Sequence, residues 1–309
     1  MKVLVTGGRG FIGRALTRRL RADGHAAWTL DLQAAPDSRH VRADVRSFRS
    51  LEQLLEGQRF EVVYHLAAET GRWNGEAHYE ALWTTNVVGT KHLIRLQERL
   101  KFRLIFVSSS EIYGDFEGTM LESVPDETPI RLLNDYAMTK WVAEQQIRNS
   151  MEMYGTETVV ARLFNVYGPG EHFAPNRGVI ARFIWCALHD QPYTVYQDHT
   201  RTFTFIDDAA RTLARICERF TSGAVYNIGG DEPVAIADLS QRILGKLGKD
   251  DRLVTYASGE PFTTRHKRVD LSRATRDLGH QNRIDIEEGL DRTIAWARQA
   301  YSNPVQTTP

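Results

Sequence analysis

Over roughly its first 160 residues the chain alternates short apolar runs with longer stretches whose apolar residues recur at helical spacing. Val3–Val5 is followed by glycines and a helical pattern over Phe11–Leu20. Ala27–Leu30 leads to Asp31, and Val41 precedes a helical pattern around Leu51–Leu55. Val62–Leu66 reads as a buried strand, and a long amphipathic stretch runs from about Tyr79 to Leu100. Leu104–Val107 is another apolar strand, ending in three serines; Tyr136–Tyr154 is helical and Thr158–Leu163 is a strand. Strands that are apolar at nearly every position are buried on both faces. Their alternation with helices predicts βαβ units and an α/β fold with a doubly wound parallel sheet.

After Asn165 the pattern loosens. Gly168-Pro169-Gly170 and Pro175-Asn176-Arg177-Gly178 are turn-rich, and helices and short strands then alternate irregularly to Trp296, before a polar tail, Ser302–Pro309. This predicts a first domain over 1–164, with later contributions from about 201–228. The second, over 165–309, is smaller, mixed α/β and substrate-facing.

Composition changes this picture little. With 309 residues, 42% hydrophobic and 25% charged, the chain is long enough for a sizeable core and is ordinary globular material. Its 39 Lys and Arg are matched by 39 Asp and Glu. A zero balance gives no broad attraction to phosphate backbones or anionic lipid, so neither nucleic acid nor a membrane is an expected partner. Cys186 and Cys217 lie in apolar helical stretches without metal-type spacing, which predicts buried free thiols and no metal site. The N-terminus passes from one lysine into a short strand, and no apolar run reaches the roughly 18 residues of a membrane helix. A cytoplasmic location is the expectation.

The first chemical signal is Thr6-Gly7-Gly8-Arg9-Gly10-Phe11-Ile12-Gly13, between a strand and a helix. Gly7, Gly10 and Gly13 allow a tight turn, close approach of backbone to a pyrophosphate, and packing of the helix on the strand, while the helix N-terminus supplies N–H groups. Asp31 ends the second strand, where a carboxylate accepts from ribose hydroxyls and repels a 2′-phosphate. The cofactor expected is therefore NAD, with Arg9 the dissenting residue, since it could pair with that phosphate. Asp44-Val45 either meets adenine, or Asp44 caps the helix ahead of Leu51; the spacing suits both.

The second signal is Tyr136-Ala137-Met138-Thr139-Lys140, which opens a helix and places Tyr136 and Lys140 one turn apart on one face. A phenol is a poor base near neutrality, and an adjacent ammonium favours its phenolate. Ser108-Ser109-Ser110-Glu111 follows a strand at its carboxyl end, where open α/β sheets bind ligands. A hydroxyl there can relay a proton to Tyr136.

TGGRGFIG, Asp31, HLAAE (His65–Glu69), Asn86 in TNVVGT, SSSEIYG, YAMTK, RLFNVYGPG and RTFTFIDD occur in one order. That series resembles the nucleotide-sugar epimerase/dehydratase group of extended short-chain dehydrogenases/reductases, and VDLSRATRDLGH resembles its C-terminal pattern. The resemblance runs from Lys2 to beyond Asp270. It implies a Rossmann-type first domain and bound NAD that oxidises a sugar carbon, usually C4, to a 4-keto intermediate. On the same grounds Ser109 becomes the catalytic hydroxyl, Tyr136 the base, and Lys140 the residue that holds the nicotinamide ribose and tunes Tyr136. The cofactor set implied is Gly7, Gly10, Phe11, Ile12, Gly13, Asp31, Asp44, Val45, Leu66, Ala67, Ala68 and Asn86, with Tyr136 and Lys140.

For the substrate, a nucleotide-diphosphate sugar, the resemblance implies Asn165 and Arg201 as diphosphate contacts. Glu69, Ser109, Ser110, Arg177 and Arg265 complete the expected set. His266 and Lys267 share a basic stretch with Arg265 and are each expected as solvated charge. His172 and Tyr167 lie in the expected mouth of the site, and His65 is expected in or near the core. Residues 69–75 depart from the usual family loop.

Glu111 bears on the outcome. Dehydratases and UDP-glucuronate decarboxylases of the family resemble this chain in placing Glu two residues after the catalytic hydroxyl. Oxidation at C4 acidifies the C5 proton, which a carboxylate can take. This puts 4,6-dehydration first and 4-epimerisation second, followed by decarboxylation and NADP-dependent keto-sugar reduction; a non-enzymatic NAD(H) sensor is disfavoured. Ser110 stands where one dehydratase type carries an acid. The resemblance also implies a homodimer through Tyr79–Leu100 and Tyr136–Tyr154.

Overall fold

The computed structural model describes residues 1–175 and 177–302. Asn176 of the predicted turn and the tail from 303 lie outside the described residues. Seven parallel strands form the central sheet: β1 (Lys2–Thr6), β2 (Ala26–Asp31), β3 (His40–Arg42), β4 (Val62–His65), β5 (Arg103–Ser109), β6 (Thr158–Leu163) and β7 (Val225–Ile228). Their order is β7-β6-β5-β4-β1-β2-β3, with every neighbouring pair parallel. The order reverses between β1 and β4, and a crevice opens there at the carboxyl ends of the strands. This is the doubly wound parallel sheet that the apolar pattern predicts, of the Rossmann type that the resemblance implies.

Helices α1 (Phe11–Ala22), α2 (Phe48–Gln58), α3 (Arg72–Ala77), α4 (Thr90–Leu100), α5 (Asp135–Tyr154), α6 (Val179–Leu188) and α7 (Ile206–Glu218) concern the site. Alternation along β1 divides the core. Val3 and Val5 pack with Leu16 and Leu20 of α1 and Leu213 and Ile216 of α7, whereas Leu4 packs with Leu51, Leu55, Leu93 and Ile147 on the opposite face. A period of two thus puts helices on both faces of one sheet.

The stretch predicted as one helix from Tyr79 to Leu100 is interrupted. A helical turn over Tyr79–Trp83 passes into a π-helix over Thr84–Gly89 before α4. The wider turn carries Asn86 inward, where it is 2% exposed. Its side chain accepts from Glu69 N and donates to Glu69 O, both at 2.9 Å, and donates to Thr139 Oγ1 at 3.1 Å. Single-turn π-helices of this kind recur at functional sites.

Beyond β6 the chain builds a second apolar cluster from α6, the helix Ile236–Leu247 and the helix Ile286–Ala300. Short strand pairs frame it: Tyr193–Tyr196 with Val254–Ala257, and Thr200–Thr202 with Pro233–Ala235. Between these, α7 and β7 return to the central sheet. Both cysteines are buried and free. Among the described residues no helix is long and apolar enough to cross a membrane.

A buried ionic network joins the strands under the site. Arg162 of β6 holds Glu144 of α5 through two bonds, at 2.8 and 3.2 Å, and donates to Tyr113 OH and to Glu122 O. Ser108 Oγ donates to Glu144 at 2.5 Å, and Tyr113 OH donates to Asn227 of β7 at 2.7 Å. Removing one partner of a buried pair leaves the other charge uncompensated. Glu144→Ala is therefore expected to lower unfolding stability by about 3–5 kcal/mol in urea titration, whereas Glu144→Leu with Arg162→Met loses much less. Equal losses in the two proteins would contradict this account.

Candidate functional site

At the carboxyl end of β1 the chain must turn within reach of β4. Gly7 takes φ +69°, and a Cβ on it would lie 2.7 Å from Ala67 N. A Cβ on Gly13 would sit 2.1 Å from Gly7 O, so only glycine lets α1 pack against the turn. The space left is a cavity of about 440 Å³ lined by the glycine turn, Phe11, Ile12, Asp31, Asp44, Val45, Leu66, Ala67, Ala68, Glu69, Tyr136 and Lys140. Asp31 accepts from Arg9 N at 2.9 Å and from Gln33 N at 3.1 Å, which fixes its carboxylate at the wall. Asp44 is bound by Arg46, and Ser47 caps α2, accepting from Ser50 N. The cap reading of Asp44 is thereby set aside. Asn86 does not line the cavity; it clamps the Glu69 backbone beside it.

Helix α5 brings the catalytic candidates to the same crevice. Asn134 is its N-cap, accepting from Ala137 N at 2.8 Å, and this fixes the start of the helix that carries Tyr136 and Lys140. Lys140 is buried, donates to Val107 O at 2.8 Å and lies 6.0 Å from the Tyr136 ring. Burial lowers its pKa to about 8, against the pull of Glu144. Burial raises the Tyr136 phenol to about 12; the Ser109 hydroxyl beside it acts in the opposite sense and Glu111 adds to the rise. Ser109 stands at the end of β5 and accepts from Glu111 N.

A second cavity, of about 210 Å³, continues from Ser109, Ser110, Glu111 and Tyr136 toward Asn165, Arg177, Arg182 and Arg201. Lys267, expected at the surface, is 1% exposed and donates to Glu111 Oε1 at 2.5 Å. Asn134 Nδ2 reaches the other Glu111 oxygen at 3.2 Å. Burial pushes the Glu111 carboxyl up, but Lys267, Arg72 and Arg201 outweigh it and hold it at about 2. Glu111 is an anion at any pH of interest. Lys267 also approaches Ser110 Oγ at 3.4 Å.

Arg201 is buried and donates to Thr200 O, Arg265 O and Thr263 Oγ1. Arg265 gives its carbonyl to that set, while its side chain is exposed and lines neither cavity. Tyr167 lines the second cavity, whereas His172 is exposed against Trp296 and Tyr301. His65 is a core residue, bonded to Thr6 and Thr90 and held neutral, to about 3, by burial and then Lys140. Sequence reasoning missed Lys267 and Asn134 as site residues; an Asn two positions before the helical tyrosine was the one local signal for the latter.

The chain belongs to the NAD dependent epimerase/dehydratase family, whose model matches residues 3–229. It is 30% identical over 307 residues to UDP-glucuronic acid decarboxylase 1 of Xenopus tropicalis, covering 96% of this chain and 72% of that protein. It is also 30% identical over 324 residues to UDP-glucuronate 4-epimerase of Thermodesulfobacterium geofontis, covering 96% of each. Among solved structures, dTDP-glucose 4,6-dehydratase of Streptomyces venezuelae with NAD bound superposes with a TM-score of 0.88. That match has 27% identity and covers 97% of both chains. The chain is thus an enzyme of an NAD-dependent family, and relatives with three different outcomes stand at similar distance.

Glu171 lines both cavities, is 8% exposed, and accepts from Gly178 N at 3.3 Å. Burial raises its pKa to about 7, with the Gly178 amide and Arg177 opposing. Between its ordinary value and about 7, the folded protein holds a proton that the unfolded chain has released. Stability therefore falls as pH rises through that window, by up to about 3 kcal/mol. Glu171→Gln is expected to remove this fall, read from urea midpoints at pH about 5 and 8; an unchanged pH slope would contradict it.

Proposed function

We propose that the enzyme is a nucleotide-sugar 4,6-dehydratase acting through a 4-keto sugar. The observation that carries the reading is Glu111: a carboxylate paired with the buried Lys267, bonded by Asn134 and fixed in the cavity wall beside Ser109 and Tyr136. The first cavity fits NAD, since its glycine turn leaves no room for a Cβ and Asp31 stands where ribose hydroxyls are accepted. Bound there, NAD would supply the oxidant at C4 and, in its reduced form, the hydride that C6 receives once water has left, so that the cofactor is restored.

The chain's own residues move the protons. Tyr136, with Ser109 as relay, takes the proton of the C4 hydroxyl; its phenol is held at about 12 by burial, so the phenolate depends on the Lys140 ammonium together with the positive charge that a bound nicotinamide would bring. The ketone at C4 acidifies the C5 proton. Glu111 accepts that proton, the C6–O bond breaks, the hydroxyl leaves as water, and Glu111 returns its proton to C5 as C6 is reduced. Ser110 carries no carboxyl to protonate it, but the Lys267 ammonium 3.4 Å from Ser110 Oγ can pass a proton through that hydroxyl. A base held at about 2 is weak, so positioning against an acidified proton has to do more than basicity.

A second reading, decarboxylation of a nucleotide hexuronate, is favoured by the cations around Glu111. Arg72, Arg201 and Lys267 all act on it and would suit a carboxylate at C6. Incubation with UDP- and dTDP-hexoses and UDP-glucuronate, read by mass spectrometry, separates the two. Loss of one water from a hexose is expected; loss of CO2 from the hexuronate selects the second reading, and unchanged mass with altered proton couplings selects epimerisation. Glu111→Gln is expected to cut product formation by about 10²–10⁴-fold while the enzyme-bound cofactor still becomes reduced on mixing. Unchanged turnover would remove Glu111 from the chemistry.

A further inference from the structure

The second cavity has an aromatic rim that the chemistry at C4 does not use. Trp73, on α3 within the loop that departs from the family pattern, lines this cavity and is 42% exposed. Its ring meets that of Phe262 edge-to-face at 5.5 Å, and Phe262 is itself 41% exposed. Single exposed aromatics are ordinary, but two in contact at the wall of a cavity form a patch. Phe262 also holds φ +61°, a left-handed conformation that a bulky side chain rarely adopts. Such backbone persists where neighbouring contacts impose it, and it clusters at ligand clamps.

Both residues are tied to the groups that move protons. Asn134 Nδ2 donates to Phe262 O at 3.0 Å and to Glu111 at 3.2 Å, so the strained peptide and the Glu111 carboxylate share one amide. On the other side, α3 packs on the start of α5: a Cβ on Gly75 would stand 3.4 Å from Tyr136 N. The ion pair of Arg72 with Glu260 joins the two segments beside the aromatic contact. Trp73 is therefore fixed to the frame of Glu111 and Tyr136, at the reacting end of the cavity.

The chemistry of this wall selects what it meets. The charges beside the indole are matched, Arg72 by Glu260 and Lys267 by Glu111. The surface left to a ligand there is aromatic. An aromatic ring gains by covering C–H groups, whereas an ionised group laid against it loses water without a partner. On a hexose the C–H groups next to the position that Glu111 addresses are those of C5 and C6. We propose that Trp73, backed by Phe262, is a specificity-determining residue that covers the C5–C6 edge of the sugar and favours a hexose over a pentose on the same nucleotide. This rests on the reading of the cavity as a nucleotide-sugar site in which Glu111 faces C5.

The test reads contact and binding in the full-length, cofactor-loaded protein, with Tyr136→Phe as the parent so that the ligand stays intact. In protein labelled with 5-fluorotryptophan, the fluorine resonance of Trp73, one of six tryptophans, is assigned by its loss in Trp73→Phe. Saturation with UDP-glucose or dTDP-glucose is expected to shift it, while UDP and dTDP leave it in place. By calorimetry, Trp73→Ala is expected to weaken the nucleotide glucoses by about 10- to 50-fold. The corresponding xyloses, which lack C6, lose less than about threefold and the nucleoside diphosphates less than about twofold. Trp73→Phe keeps a ring and recovers most of the loss. An unmoved Trp73 resonance, equal loss for glucose and xylose, no loss, or no binding to the parent in either series overturns the assignment. Failure of the C4 chemistry looks different: the glucose series still moves the Trp73 resonance, but the protein with Tyr136 intact forms no keto product.

Discussion

The site depends on one buried carboxylate that never touches its contents. Glu144 sits on α5, accepts from Ser108 at the end of β5, and is gripped on two sides by Arg162 of β6. The three elements that meet there carry Ser109, the Tyr136–Lys140 pair, and the strand leading to Asn165. Glu144 also favours the ammonium of Lys140, which burial alone would push toward neutrality. A buried ion pair is weak evidence of net stability, because desolvation offsets much of the attraction. Its use here is positional: it fixes the register between the strand that bears the hydroxyl and the helix that bears the phenol.

The same constraint explains how a chain with no net charge can serve a polyanionic substrate. Among the described residues the site holds paired charge, Lys267 with Glu111 and Arg72 with Glu260, beside the cations Arg177, Arg182 and Arg201 along the second cavity. Each pair is buried or nearly so, and each leaves a fixed dipole instead of a mobile counterion. Such preorganised groups act in a low-dielectric setting without reorganising at the moment of reaction. The overall balance therefore disfavours extended anionic partners and says nothing against a small one held by local donors.

What could be read from the sequence was what is encoded at short range. The apolar strands give the sheet, the spacing of Gly7, Gly10 and Gly13 gives the turn, and the one-turn interval gives the Tyr136–Lys140 face. What could not be read depends on residues that meet only after folding. Lys267 reaches Glu111 across 156 positions, and a basic stretch among turns reads as surface until the fold buries it. The π-turn at Asn86 is invisible to helical periodicity, because its extra residue does not disturb the apolar pattern enough to be seen. Asp44 suits a cap by its spacing, and only the geometry of α2 shows Ser47 in that role.

In the proposed internal redox cycle the sugar is oxidised at C4 and the cofactor is restored within the same turnover. The most direct test follows deuterium placed at C4 of the accepted nucleotide sugar. In such a cycle the label stays in the sugar product, and no labelled reduced cofactor builds up over many turnovers. Loss of the label to solvent, or its accumulation in released reduced cofactor in proportion to product, would contradict it.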